Sequence, residues 1–226
     1  MARKSELGRF TPMQGIDGVF TANNGNLRCT AIELRDGRLC LFSPVSGLGA
    51  DACLSLNELG KVAYLFAPNH YHNKALVEYA TAFPTARVCA AADAAVRLEK
   101  VTGLKYQTLE DIKSSLPDRF ALLKPDGLKT GEVWLRHSAG KTVTWFVADA
   151  FSGPKTLDTS GVCDTPAMLG TFPGFAVRDK KTYVDWIHAQ LKEDMPTRVV
   201  PCHGAIVQST KLTGLLRKLV DDKLVR

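Results

Sequence analysis

Apolar runs just long enough for β-strands alternate along this chain with turn residues and short amphipathic stretches, and four of its five histidines lie beside such runs. That pattern excludes an all-helical bundle and points to a mixed α/β fold. Leu27 to Glu33 and Leu39 to Ser43 flank Arg35-Asp36-Gly37-Arg38, where Asp-Gly signals a hairpin turn. Ser43 to Ala50 reads as a loop, and 51–60 as a short helix with Leu54, Leu56 and Leu59 apolar. Val62 to Phe66 reads as a buried strand that Pro68 ends. Asn73 suits the N-cap of a helix over 74–83, with Leu76, Val77, Ala80 and Phe83 as its apolar stripe and Pro84 as its stop.

Further strands are expected at 87–90, 120–124, 132–136, 141–148 and 197–200, and helices at 91–100, 108–116, 181–193 and 209–224. Residues 150–180 are rich in Gly, Pro, Thr and Asp without a period, so a long functional loop is expected there. No repeat or linker interrupts this order. The expectation is one α/β (α+β) domain over 1–226, with a mixed sheet or two packed sheets.

Composition narrows the function. At 226 residues and 45% hydrophobic, the chain can bury a large core. No apolar run reaches about 18 residues, so no membrane span is expected. The first residues, Met1-Ala2-Arg3-Lys4-Ser5-Glu6, are basic with no apolar stretch behind them, which reads as a cytoplasmic protein. Six scattered cysteines without CxxC read as small buried hydrophobes in a reducing compartment. Lys and Arg outnumber Asp and Glu by 29 to 23, giving +6. Part of that charge sits near the ends, at Arg3, Lys4, Arg9, Lys211, Arg217, Lys218, Lys223 and Arg226. Without interleaved aromatics it reads as solvated surface, and no nucleic-acid partner is expected. No GxSxG, phosphate-cradling glycine loop or GxGxxG follows a strand, which leaves serine hydrolases and nucleotide binders without support.

The histidines carry the chemistry. His70 and His72 fall in Ala67-Pro68-Asn69-His70-Tyr71-His72, His137 opens His137-Ser138-Ala139-Gly140, and His203 sits in Pro201-Cys202-His203-Gly204. Asp149 ends the apolar run Val143 to Ala148. Neutral imidazoles joined by a carboxylate at strand ends are a metal-ligand set. His188 lies within a helix and reads as a structural or surface residue. Cys202 neighbours His203, but adjacent residues of a strand point to opposite faces, so a thiol–imidazole dyad is a poor reading.

These motifs, in this order, resemble the metallo-β-lactamase superfamily over most of the chain. The family's HxHxDH matches His70 and His72, its histidine before a strand matches His137, its strand-end aspartate matches Asp149 and its late histidine matches His203. The resemblance implies a four-layer αββα sandwich with the active site at one edge, lined by the Ser43–Ala50 and 150–180 loops. It also implies a first metal on His70, His72 and His137, with Asp149 bridging. The chain departs from the pattern at Lys74 and Ala75, where the family carries Asp and His. Lys74 and Ala75 cannot ligate, so one metal at most is expected. His203 is then left to hydrogen-bond a ligand. A shifted reading of Pro68-Asn69-His70-Tyr71-His72 places Asn69 and Tyr71 at ligand positions, with no metal.

The implied activity is a mononuclear metal-dependent hydrolase of a small ester- or thioester-like substrate. Zinc comes first as the cofactor, with Asp149 orienting water and Lys74 and His203 assisting. Alternatives are an iron-dependent oxygenase using two His and a carboxylate, and a silent ligand-binding or interaction module without metal. Lys74 is expected to attract an anionic substrate. Neither β-lactam cleavage nor nuclease activity is expected.

Overall fold

The computed structural model describes residues 6–154 and 161–225. It divides into two compact units, one running through Pro117 and the other starting at Asp118. Each holds one six-stranded mixed sheet with helices, so the fold class is α+β as expected.

In the first unit, β1 (Thr11–Pro12), β2 (Val19–Asn24), β3 (Leu27–Glu33) and β4 (Leu39–Phe42) form an antiparallel meander. The β3–β4 turn is where Asp-Gly predicts it. Gly37 takes φ 76°, and Asp36 Oδ1 accepts the Arg38 N–H at 3.1 Å. The chain then crosses through α1 (Ala50–Leu59) to β5 (Val62–Phe66) and through α2 (Leu76–Ala82) to β6 (Arg87–Cys89). β4, β5 and β6 are parallel, which is why helices must connect them. α3 (Ala92–Thr102) and α4 (Glu110–Ser115) follow. Leu39, Leu41 and Leu65 from the sheet form one core with Leu56, Leu76, Tyr79 and Leu98 from the helices.

In the second unit, β7 (Phe120–Leu123), β8 (Trp134–Ala139) and β9 (Thr142–Val147) are antiparallel. After β10 (Val162–Cys163), α5 (Phe172–Ala176) and α6 (Lys180–Asp194), the chain adds β11 (Arg198–Pro201) parallel to β9. β12 (Ile206–Gln208) runs antiparallel to β11 and parallel to β10. α7 (Leu212–Val220) and a π-helical turn, Asp221–Val225, close the unit. Trp134, Trp145 and Phe151 pack with Tyr183, Ile187 and Leu191 of α6. Asp179 caps α6, its Oδ1 accepting the Thr182 N–H at 3.0 Å. At the other end of α6, buried Asp194 pairs with Arg136 at 2.6 Å and accepts the Trp145 indole N–H at 2.8 Å.

Three local differences from the sequence expectation bear on function. Helix α2 starts at Leu76, not 74, because Asn69 and Asn73 bind backbone in the preceding turns instead of capping a helix. β8 begins at Trp134 and runs to Ala139, so His137 lies inside a strand rather than in a turn. The turn falls at Gly140, which takes φ 57°, between the paired residues Ala139 and Thr142. The span 150–180 contains β10 and α5, although residues 155–160 of that expected loop lie outside the described residues, as do Arg3, Lys4 and Arg226. No helix among the described residues is long and apolar enough to cross a membrane. All six cysteines carry free thiols, and burial pushes the Cys29 thiol up to about 12.

Candidate metal centre

In the second unit, strand register creates the central pair. β9 and β11 run parallel with Val147 opposite Pro201, and the Cys202 N–H donates to the Val147 carbonyl at 2.9 Å. Two residues further along each strand come Asp149 and His203. The His203 Nε2 lies 3.0 Å from Asp149 Oδ1. Asp149 is buried and His203 partly so.

Close loop contact keeps the pair in place. A Cβ on Gly153 would sit 2.7 Å from the Ala205 carbonyl oxygen and 2.9 Å from the Ala205 Cβ, so only glycine lets these segments touch. Gly204 takes φ 80°, a left-handed conformation that turns the chain directly after His203. Behind Asp149, one oxygen of buried Glu132 accepts three N–H groups: the Trp134 indole at 2.7 Å, Asp149 at 3.2 Å and Ala150 at 3.3 Å. In the sequence Glu132 reads only as the start of a strand. The signal was available as a carboxylate in the apolar segment before β8.

In the first unit, the same strand-end logic positions His72. The Ser43 N–H donates to the Phe66 carbonyl at 3.0 Å, prolonging the β4–β5 pairing by one residue. Ser43 takes φ 57°, which is costly for a residue with a side chain and is the kind of strain found at functional sites. Its Oγ lies 2.7 Å from His72 Nδ1. A hydroxyl on Nδ1 fixes the ring so that Nε2 is the nitrogen turned to a ligand, the usual arrangement behind a metal-binding imidazole. From sequence, Ser43 reads only as the start of a loop.

The other expected site residues fall differently. Asn69 Oδ1 accepts the N–H of Tyr71 at 2.7 Å and of His72 at 3.3 Å, a local turn built on its side chain. That oxygen is therefore already engaged, which tells against Asn69 as a ligand. His70 lies edge-on against Tyr71, with ring centroids 4.4 Å apart, and the Arg97 guanidinium covers Tyr71 at 4.8 Å. Lys74 is exposed in the turns ahead of α2. Outside these loops, His188 Nε2 lies 2.9 Å from Asp221 Oδ1, a structural contact within the second unit.

His137 is set apart from Asp149 within its own sheet. Its strand partner is Thr144, and Asp149 lies five residues beyond Thr144. β9 carries the chain about 10 Å from Thr144 to Val147 before Asp149, and among the described residues His137 offers none of the ligand atoms gathered at Asp149. His137 is buried against Phe120, with ring centroids 4.8 Å apart. Among the described residues, neither ring nitrogen has a hydrogen-bond partner. Burial, then the charges of Arg119 and Arg198, pushes its pKa down to about 4, so it is neutral.

The residues present fit a metal. Two donors bound to a tetrahedral zinc at about 2.0–2.1 Å stand about 3.3 Å apart. Asp149 Oδ1 and His203 Nε2, at 3.0 Å, need open by only a few tenths of an ångström. Buried carboxylate oxygen and imidazole nitrogen are donors that suit zinc and iron alike.

No family model matches the chain, and no curated protein matches it in sequence. Solved structures do. DIM-1 metallo-β-lactamase, exposed to ceftazidime, superposes with a TM-score of 0.66 at 12% identity, covering 96% of this chain and 99% of its own. FIM-1 metallo-β-lactamase from Pseudomonas aeruginosa, in its mono-zinc form, gives 0.63 at 11% identity, covering 99% of each chain. Rubredoxin oxygen:oxidoreductase from Desulfovibrio gigas gives 0.67 at 14% identity over 94% of this chain, which spans 61% of that one. The chain thus has the metallo-β-lactamase fold, the architecture that the order of its motifs implied. That fold serves hydrolases and oxidoreductases alike among these neighbours.

Proposed function

We propose that this protein is a metal-dependent hydrolase that holds one divalent ion, zinc, on Asp149 and His203 of the second unit, with His72 as the further ligand that the resemblance in sequence implies, and acts on a small ester- or thioester-like substrate. The observation that carries the reading is the Asp149–His203 pair at 3.0 Å, set by strand register and backed by a buried carboxylate. The resemblance in sequence assigned the ion to His70, His72, His137 and Asp149. His137 and Asp149 belong to different ends of one sheet, so His203 takes the place of His137 in this reading. His72 replaces His70 as the ligand from the HxH because Ser43 orients its ring.

A zinc ion so held supplies Lewis acidity to a substrate carbonyl and acidifies a water molecule. The chain supplies the rest. Asp149 accepts the proton of the attacking water on its carboxylate and orients that water. The carboxylate then passes that proton to the departing alcohol or thiol, while His203 Nε2, 3.0 Å from Oδ1, would turn to the ion. The Lys74 ammonium, exposed beside the HxH turn, attracts an anionic group of the substrate.

The test is turnover of a panel of small aryl esters and thioesters by zinc-loaded protein. Asp149→Asn and His203→Ala should each lower kcat/KM by on the order of 100-fold or more. Activity that survives both substitutions contradicts the reading. A second reading is favoured by one observation: two imidazoles and one carboxylate are also the donor set of mononuclear iron oxygenases. Iron in place of zinc in the purified protein, with oxygen consumption and no ester turnover, selects it.

A further inference from the structure

We infer that Glu132 is a positioning residue for this centre: its Oε1 fixes the end of β9 and thereby sets the Asp149 carboxylate against His203. The inference rests on the proposed site but is tested apart from it. Glu132 is 1% exposed, yet it serves no partner in the proposed chemistry directly. Its Oε1 gathers the indole N–H of Trp134 and two consecutive backbone N–H groups, those of Asp149 and Ala150. Those two amides begin two residues beyond Val147, the last residue of β9. A buried amide without an acceptor is strongly disfavoured, so the chain would reorganise there if Glu132 were removed. The residue whose backbone would move is Asp149.

Reach and charge make different predictions. If Oε1 acts by its position, Glu132→Gln keeps an acceptor at the same distance and preserves the site. Glu132→Asp keeps the charge but withdraws the oxygen by about 1.5 Å, one C–C bond, and disrupts the site. A merely structural role lowers the melting temperature of both variants without distinguishing them at His203.

The experiment uses metal-free, histidine-15N-labelled full chain at fixed pH, with the His203 ring assigned through His203→Gln. The ring-nitrogen signals of His203 report its hydrogen bond to Asp149. Zinc affinity, measured by competition with a chromophoric chelator, is the second readout. Expected results are wild-type His203 signals in Glu132→Gln and displaced or broadened signals in Glu132→Asp and Glu132→Ala. Zinc binding in the latter two should weaken by about 10–100-fold. Should Glu132→Ala not fold, the Gln and Asp pair decides alone. Unchanged His203 signals in Glu132→Asp overturn the inference, as does a disrupted site in Glu132→Gln with an intact one in Glu132→Asp. If wild type binds no zinc, the proposed metal site fails while the His203 signals still judge Glu132.

Discussion

Acidification from pH 7 to pH 5 should cost the fold about 2 kcal/mol through His137 alone. Burial first, then Arg119 and Arg198, pushes the pKa of this imidazole down to about 4. In an unfolded chain a histidine titrates near 6.5. Above 6.5 both states are neutral, and His137 has no effect on stability. As pH falls below 6.5, the unfolded chain takes up a proton that the folded chain does not, so stability is lost. Below about 4 both states are protonated and the loss levels off. The interval from 6.5 to about 4, at 1.36 kcal/mol per pH unit, sets a ceiling of about 3 kcal/mol, of which about 2 is reached at pH 5. Burial sets most of the size, and the row of residues across the sheet adds to it: His137 pairs with Thr144, and Thr144 with Arg198, so a proton on His137 would share that row with a guanidinium two strands away. Urea unfolding of wild type and His137→Phe at pH 7, 6 and 5 measures the effect. Phenylalanine fills similar space and does not titrate. The stability difference should move by about 2 kcal/mol in favour of the variant between pH 7 and 5. Parallel pH profiles for the two proteins would refute the reasoning.

Other perturbations address the scaffold and the site. Gly153→Ala forces a Cβ to 2.7 Å from the Ala205 carbonyl oxygen, and should destabilise by about 1–3 kcal/mol and weaken zinc binding, whereas Gly170→Ala, with nothing within 4 Å, should leave thermal unfolding unchanged. Asp194→Ala leaves Arg136 and the Trp145 indole without their buried carboxylate, and should cost about 3–5 kcal/mol in urea unfolding with no selective effect on metal content. Lys74→Ala should raise KM for anionic esters and leave KM for neutral esters unchanged; equal kinetics on both substrates would remove Lys74 from the mechanism.

The strand-and-helix order could be read from the sequence because its signals are local. Asp36-Gly37 makes the β3–β4 hairpin, and the apolar run Val62 to Phe66 is β5 with both bounds as expected. β12 is not legible in the sequence because three residues show too little alternation. Asp149 and His203 were legible as candidates, since each follows an apolar run. Their pairing was not, because it depends on the parallel register of β9 with β11, which joins residues 54 apart in sequence. His137 illustrates the opposite case. His137-Ser138-Ala139-Gly140 looks like a turn, but Trp134 and Trp145 pack together with ring centroids 5.4 Å apart, and the strand runs on to Ala139. Glu132 and Ser43 carry no motif at all. Each acts on backbone or on another side chain, and such roles exist only after folding.

Metal content per chain tests the central claim most directly. Protein purified without a chelating tag should retain about one zinc in wild type and in His137→Ala, and far less than one in His72→Ala, Asp149→Ala and His203→Ala. Loss of the metal in His137→Ala, or its full retention in His203→Ala, would contradict the account.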